Sequence, residues 1–201
     1  YYGKVERVYN TADIEAKASY AGGIVGILGY NSNATYVKNA FNTGTVIANA
    51  EASGIANINR DAGSYYAIVY TSYNIGLVQS EGKKYGVSTT NVSASYYDVN
   101  MMSKYEVKTT LKPKVTAGWV ESETLLYGNA TSLQWDENVW YFAPKTSTKS
   151  YYPQLKVFSD HQFASVKAAS KAAVEIDHTK GLGTYQNPYK ISSAEEMNKL
   201  S

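Results

Sequence analysis

The sequence predicts an all-β fold, a parallel β-solenoid with coils of roughly 32 residues, on three observations. The first is an internal repeat. An aromatic recurs at Tyr9, Phe41 and Tyr73, an Asn at Asn10, Asn42 and Asn74, a Val at Val5, Val37 and Val69, and an aliphatic at Ile14, Val46 and Val78, each at a step of 32. A fixed period in this range marks a solenoid or array. The second is the pattern inside the repeat: Val5, Arg7, Tyr9 and Thr11 alternate, and the run is rich in Tyr, Val, Ile and Thr, as strands are. The third is Gly44 and Gly76 in mid-segment, where a helix would lose about 1 kcal/mol relative to Ala.

Taken in chain order, residues 1–100 are read as the coils. Successive coils of such a fold stack at about 4.8 Å, so equivalent residues lie above one another. Tyr9, Phe41 and Tyr73 are expected to form an internal aromatic stack, and Val5, Val37 and Val69 an aliphatic one. Asn10, Asn42 and Asn74 are expected to form an amide ladder that satisfies its own donors and acceptors. Gly23, Gly54 and Gly86 mark turns or close backbone approaches. A shortened fourth copy, Ala94-Ser95-Tyr96-Tyr97-Asp98-Val99-Asn100, adds Tyr97 to the repeat tyrosines.

Residues 101–158 are read as a closing and capping segment, since all three Trp (Trp119, Trp135, Trp140) fall there and the end of a stack needs a bulky cover. Residues 159–180, rich in Ala, Lys and Ser, form a spacer, helical or extended. Within 181–201, Ser193-Ala194-Glu195-Glu196 is a capping box that predicts a short C-terminal helix over 194–200.

Composition bears on chemistry mainly by exclusion. The 201 residues include 20 Tyr, no Cys and two His, with 19 Lys+Arg against 17 Asp+Glu. The missing Cys removes disulfides, thiolate metal sites and Cys nucleophiles. A net charge of +2 gives no reason to expect nucleic acid, and no run is apolar enough to span a membrane. The chain begins Tyr1-Tyr2-Gly3 without Met and reads as a fragment or processed product. No catalytic, cofactor-binding or metal-ligating residue is assigned. His161 and His178 have no ligating neighbours in sequence, and Asp136-Glu137 and Glu195-Glu196 read as a polar turn and a helix start. There is no Gly-x-Ser-x-Gly elbow and no phosphate-binding Gly-rich loop. Asp98, Asn100 and the acidic cluster at 136–138 are the candidates for binding Ca²⁺, although they lack the regular spacing of a calcium loop. Three sequons begin at Asn33, Asn91 and Asn129. Tyrosines that fall off the period, Tyr65, Tyr66, Tyr70 and Tyr105, are the candidates for a surface that contacts a glycan or a protein partner.

Tyr20-Ala21-Gly22-Gly23-Ile24-Val25-Gly26, together with Phe41-Asn42-Thr43-Gly44-Thr45-Val46 and Tyr73-Asn74-Ile75-Gly76-Leu77-Val78, resembles the GLUG motif. That motif is a repeat of large bacterial cell-surface proteins, including adhesins and the N-terminal regions of IgA-specific metallopeptidases. Trp135 with Tyr151-Tyr152-Pro153-Gln154-Leu155 looks like the closing segment of such arrays, and 181–201 like the opening segment of a following or neighbouring solenoid. The first copy departs from the pattern, with Ala12 in place of Gly, and Ser53 and Tyr85 replace the first of the paired glycines. The resemblance implies a right-handed coil and an extracellular, non-enzymatic adhesin stalk or filament-forming subunit. Self-association, neighbouring repeats, a glycan or a host surface protein are then its partners. The peptidase activity of some relatives belongs to a His-Glu-x-x-His helix that this sequence lacks.

Overall fold

The computed structural model describes residues 3–29, 35–58, 67–89, 91–98, 118–120, 125, 128–142, 149–150, 152–158 and 176–177. They form a mostly β structure whose sheets are mainly parallel. Strands at corresponding places in successive repeats pair in register. β1 (Lys4–Asn10) lies beside β5 (Thr35–Asn42), with Val5 opposite Val37, Tyr9 opposite Phe41 and Asn10 opposite Asn42. The first half of β5 then pairs with β9 (Ala67–Tyr70) and the second half with β10 (Tyr73–Asn74). Beyond them, β13 (Val92–Ser93) adds to β9, β14 (Tyr96–Asp98) to β10, and β15 (Gly118–Val120) to β14. A second ladder runs through β2 (Ile14–Ala16), β6 (Val46–Ala48) and β11 (Val78–Ser80). A third runs through β3 (Tyr20–Gly22), β7 (Glu51–Ser53) and β12 (Lys83–Tyr85), and a fourth pairs β4 (Val25–Leu28) with β8 (Ala56–Ile58).

The bend inside β1 and β5 has a visible cause. Arg7, Asn39, Thr71 and Ala94 occupy equivalent corners, and all adopt left-handed backbone angles with φ between 42° and 53°. Such angles cost a non-Gly residue of order 1 kcal/mol or more. Side chains offset the strain by taking up backbone groups at the corner. The Ser72 hydroxyl accepts from the Ala40 N–H at 3.0 Å and donates to the Tyr70 carbonyl at 3.0 Å. Ser95 repeats this, accepting from the Ser72 N–H at 3.0 Å and donating to the Ser93 carbonyl at 2.9 Å. The Thr71 hydroxyl donates to Asn39 Oδ1 at 2.6 Å.

Alternation along the strands produces two cores rather than one. Val37, Ala40, Val46, Ala48, Ala52, Ile55, Val69 and Val78 pack together in one. Phe41, Tyr73 and Tyr96 belong to the other, with Leu133, Trp135, Trp140, Tyr152 and Leu155. The aromatic stack packs against Leu133, Trp135, Trp140, Tyr152 and Leu155, apart from the aliphatic ladders. Neighbouring side chains on a strand point to opposite faces, so Ala40 and Phe41 cannot share a core.

Within 101–158, β15 continues the sheet beside β14, with Trp119 opposite Tyr97. A short helix α1 (Ala130–Leu133) is capped by Asn129, and β16 (Trp140–Tyr141) pairs antiparallel with β18 (Gln154–Leu155). Trp135 and Trp140 lie along the side of the aromatic stack and touch residues of several repeats. Rings already aligned at a 5 Å step offer a long apolar surface. In the spacer, β19 (Ile176–Asp177) pairs antiparallel with β17 (Lys149–Ser150), so that part is extended. The helix expected over 194–200 lies outside the described residues.

The glycines sort by space. A Cβ on Gly54 would stand 2.1 Å from the Gly86 carbonyl and 2.5 Å from the Asn74 amide, whereas one on Gly26 meets nothing within 4 Å. Gly54→Ala is therefore expected to destabilise by about 2 kcal/mol or more, since backbone must move. Gly26→Ala should be neutral or stabilising by a few tenths. Urea denaturation of both variants checks the contrast.

Candidate functional site

The densest organised feature is the run of stacked side chains where β1, β5, β10 and β14 meet the segment beyond residue 128. Tyr9 and Phe41 stack with centroids 5.0 Å apart and planes 8° from parallel, and Phe41 and Tyr73 at 5.1 Å and 6°. Tyr96, not Tyr97, stands opposite Tyr73 in the next repeat. Tyr97 takes the position above Asn74 and belongs to the aliphatic core, where its ring lies against Gly86. The two adjacent tyrosines of the fourth copy are indistinguishable in sequence, and only strand register assigns them.

The amides form a continuous chain. Asn10 Nδ2 donates to Asn42 Oδ1 at 2.8 Å, and Asn42 Nδ2 donates to Asn74 Oδ1 at 2.8 Å. Each Nδ2 also donates to the carbonyl two residues on, Ala12 at 2.6 Å, Gly44 at 2.8 Å and Gly76 at 2.9 Å. A planar amide with two donor hydrogens and a two-lone-pair acceptor fits this site. A Cβ on Gly23 would fall 2.6 Å from Asn42 Cγ, so the glycines leave room for the ladder. Val37 and Val69 are fully buried and Val5 partly so, in the register Val5–Val37–Val69.

The Trp-bearing segment is tied to the stack by hydrogen bonds as well as rings. Trp135 Nε1 donates to the Ala94 carbonyl at 2.6 Å, and Trp140 Nε1 to Asn39 Oδ1 at 3.1 Å. The Tyr73 hydroxyl donates to the Pro153 carbonyl at 2.8 Å, and the Tyr152 hydroxyl to Asp98 Oδ2 at 2.6 Å. Asp98, weighed above for calcium, is thus buried against this segment. At the far end Phe158 meets Tyr9 edge to face at 5.0 Å. Burial holds the Tyr73 phenol well above its ordinary pKa.

Of the surface candidates, Tyr65, Tyr66 and Tyr105 lie outside the described residues. Tyr70 is half-buried and packs edge to face on Tyr36 at 5.5 Å, with Lys38 Nζ 5.2 Å from its ring centre. Lys4 Nζ stands 5.7 Å from the Tyr36 ring, and the Tyr36 hydroxyl donates to Glu6 Oε1. Sequence reasoning missed Tyr36, although alternation with the buried Val37 could have placed it on the outer face with Lys38. The Glu6 hydrogen bond is the main reason that the Tyr36 pKa is pushed up to about 12. Because the folded value exceeds the ordinary 10, this contact stabilises fully below pH 10 and is lost as pH rises through about 12. Ultraviolet titration should show Glu6→Gln moving one phenol midpoint back towards 10.

Of the sequons, Asn33 lies outside the described residues, Asn91 Nδ2 donates to the Ala67 carbonyl at 3.0 Å, and Asn129 Oδ1 accepts from the Ser132 N–H at 2.9 Å. Among the described residues no group of three or more His, Asp or Glu converges, and no helix is long and apolar enough to cross a membrane. Comparison with family models, curated proteins and solved structures found no match to the chain.

Proposed function

We propose that this chain is a non-enzymatic structural segment of an exported bacterial surface protein, a right-handed β-solenoid of the GLUG kind serving as an adhesin stalk or filament-forming subunit. The observation that carries the reading is the in-register stacking of ladders from successive repeats, joined through the Asn10–Asn42–Asn74 chain. Such stacking stiffens a polypeptide along one axis without disulfides, and the chain has no Cys. Its side chains are spent on one another: Asn on Asn, Tyr on Phe, and Trp indoles on a carbonyl and an amide oxygen. Head-to-tail contacts between coils would lengthen the rod, with 181–201 of one chain meeting the first coil of the next. Antibody raised against the chain should label intact cells of the source bacterium; labelling only after lysis would sink the surface assignment. Electron microscopy should show filaments that are lost on deleting 181–201.

A second reading, a carbohydrate- or host-protein-binding module, draws on the outward pair Tyr36 and Tyr70 flanked by Lys4, Glu6 and Lys38. Aromatic faces beside charged groups suit sugar or protein contact. Glycan-array binding that is lost in Tyr36→Ala and Tyr70→Ala supports this face, and binding that survives both removes it.

A further inference from the structure

Away from the stacked ladders, the segment beyond residue 128 folds around an open cleft of about 540 Å³. Small-molecule sites have volumes of about 300–1,000 Å³. Asn129 to Thr131, the turn that carries Glu137, the stretch Trp140 to Phe142, and Lys156 line it. Its walls are fixed by bonds already made. The Lys156 N–H donates to the Val139 carbonyl at 2.9 Å, and the Val139 and Trp140 N–H groups donate to the Asp136 carbonyl at 3.0 and 2.9 Å. β16 is paired with β18, and Trp140 is fully buried, held by Asn39 and Trp135. The cleft is thus formed without a ligand to shape it.

Its polar side chains differ from those of the ladders, which are spent on one another. Asp136 Oδ1 accepts from the N–H and Nδ2 of Asn138 at 2.8 and 3.0 Å, inside its own turn. The neighbouring Glu137 carboxylate and the Lys156 ammonium are exposed, and among the described residues neither forms a hydrogen bond or an ion pair. Asn129 commits Oδ1 to the Ser132 N–H, which leaves its Nδ2 to donate outward, and the Thr131 hydroxyl is likewise uncommitted. The cleft therefore offers a group that only accepts, two that only donate and one that does both. Beside them Tyr141 and Phe142 are half-buried, with part of each side chain on the cleft.

This set selects against most ligand classes. A phosphate or other strong anion meets the Glu137 carboxylate, and a metal cation finds Lys156 and no cluster of three acidic or His groups among the described residues. A purely apolar ligand would cover four polar groups without pairing them. What fits is a molecule with several hydroxyls, each able to donate and accept, and an apolar face for the rings. We propose that the cleft is a saccharide-binding site that takes one or two neutral pyranose rings. Sugar hydroxyls donate to Glu137 and accept from Lys156 and Asn129 Nδ2, and the C–H face of a ring lies on the wall made by Tyr141 and Phe142. The site shares no residue with the outward pair Tyr36 and Tyr70, so it goes beyond both readings above.

The test titrates the full chain with lactose, maltose, cellobiose and N,N′-diacetylchitobiose to about 10 mM, enough to reveal millimolar affinity, and follows amide and aromatic NMR signals. At least one disaccharide is expected to shift Tyr141, Phe142 and Lys156. Glu137→Gln and Lys156→Met should each weaken that binding by about tenfold, the weight of one hydrogen bond to a charged group. Both side chains are exposed and unpartnered, so melting of the variants should be unchanged. Tyr36→Ala should leave the binding intact. The proposal is overturned if none of the four sugars shifts these signals, or if both cleft variants bind as tightly as the parent chain. Loss of binding in Tyr36→Ala with the cleft variants unaffected would place the sugar on the Tyr36–Tyr70 face instead. Free phenylalanine shifting the cleft signals where the sugars do not would assign the site to a zwitterion and also overturn it. Cell-surface labelling is an independent readout, so the stalk reading can fail while this site stands.

Discussion

Replacing Asn42 with Ala is expected to lower stability by about 3–4 kcal/mol, since three hydrogen bonds of a fully buried amide are lost together. The Gly44 carbonyl is left without its side-chain donor, while Asn10 Nδ2 and Asn74 Oδ1 each keep one bond, to the Ala12 carbonyl and the Gly76 N–H. For a chain of this size each kcal/mol moves Tm by about 2–4 °C, so a fall of about 10 °C is expected by calorimetry. Asn42→Asp should be at least as severe, because it removes both donors and places a carboxylate beside the Asn74 Oδ1 acceptor. Asn10→Ala, at the less buried end of the chain of amides, should cost about 1 kcal/mol. Equal effects at the two positions would mean that the ladder is not the source of the stability.

Trp140→Ala is expected to cost about 3–5 kcal/mol and to loosen residues 128–158 from the aromatic stack. The side chain is fully buried, packs on Trp135 at 4.6 Å and on Tyr73 at 5.8 Å, and bonds Asn39 through Nε1. Trp140→Phe keeps a ring but loses that bond, and should cost about half as much. Asn39 keeps its bond from Thr71, so its oxygen is not stranded. Limited proteolysis separates the consequences: cleavage within 128–158 should accelerate well before cleavage within the parallel strands of residues 4–98. Simultaneous cleavage of both would show that the stack cannot stand without the segment that covers it.

Both effects trace to features of different legibility. The step of 32 made the pairings of Tyr9 with Phe41 and Asn10 with Asn42 readable, because parallel ladders set equivalent residues side by side. Gly23, Gly54 and Gly86 were readable as close approaches, though not as the room left for Asn42, Asn74 and Tyr97. Trp140 carried no such signal. It reaches Asn39 across 101 residues, and no local pattern records a contact of that range. The exchange of roles between Tyr96 and Tyr97 was also silent, because a one-residue choice of register turns every side chain to the other face. The left-handed corners at Arg7, Asn39, Thr71 and Ala94 share no residue type and so gave no motif.

The sequence by itself determined the repeat, its strand character and which residues of successive repeats meet. Those properties follow from periodicity and from the alternation of a strand, and both are local. Only the tertiary structure decided that the aromatic stack faces away from the aliphatic core, that Trp135 and Trp140 lie along that stack, and that Tyr97 rather than Tyr96 turns into the aliphatic core. Each of these depends on which face of a strand a distant segment covers, and that is settled by packing between residues far apart in the chain.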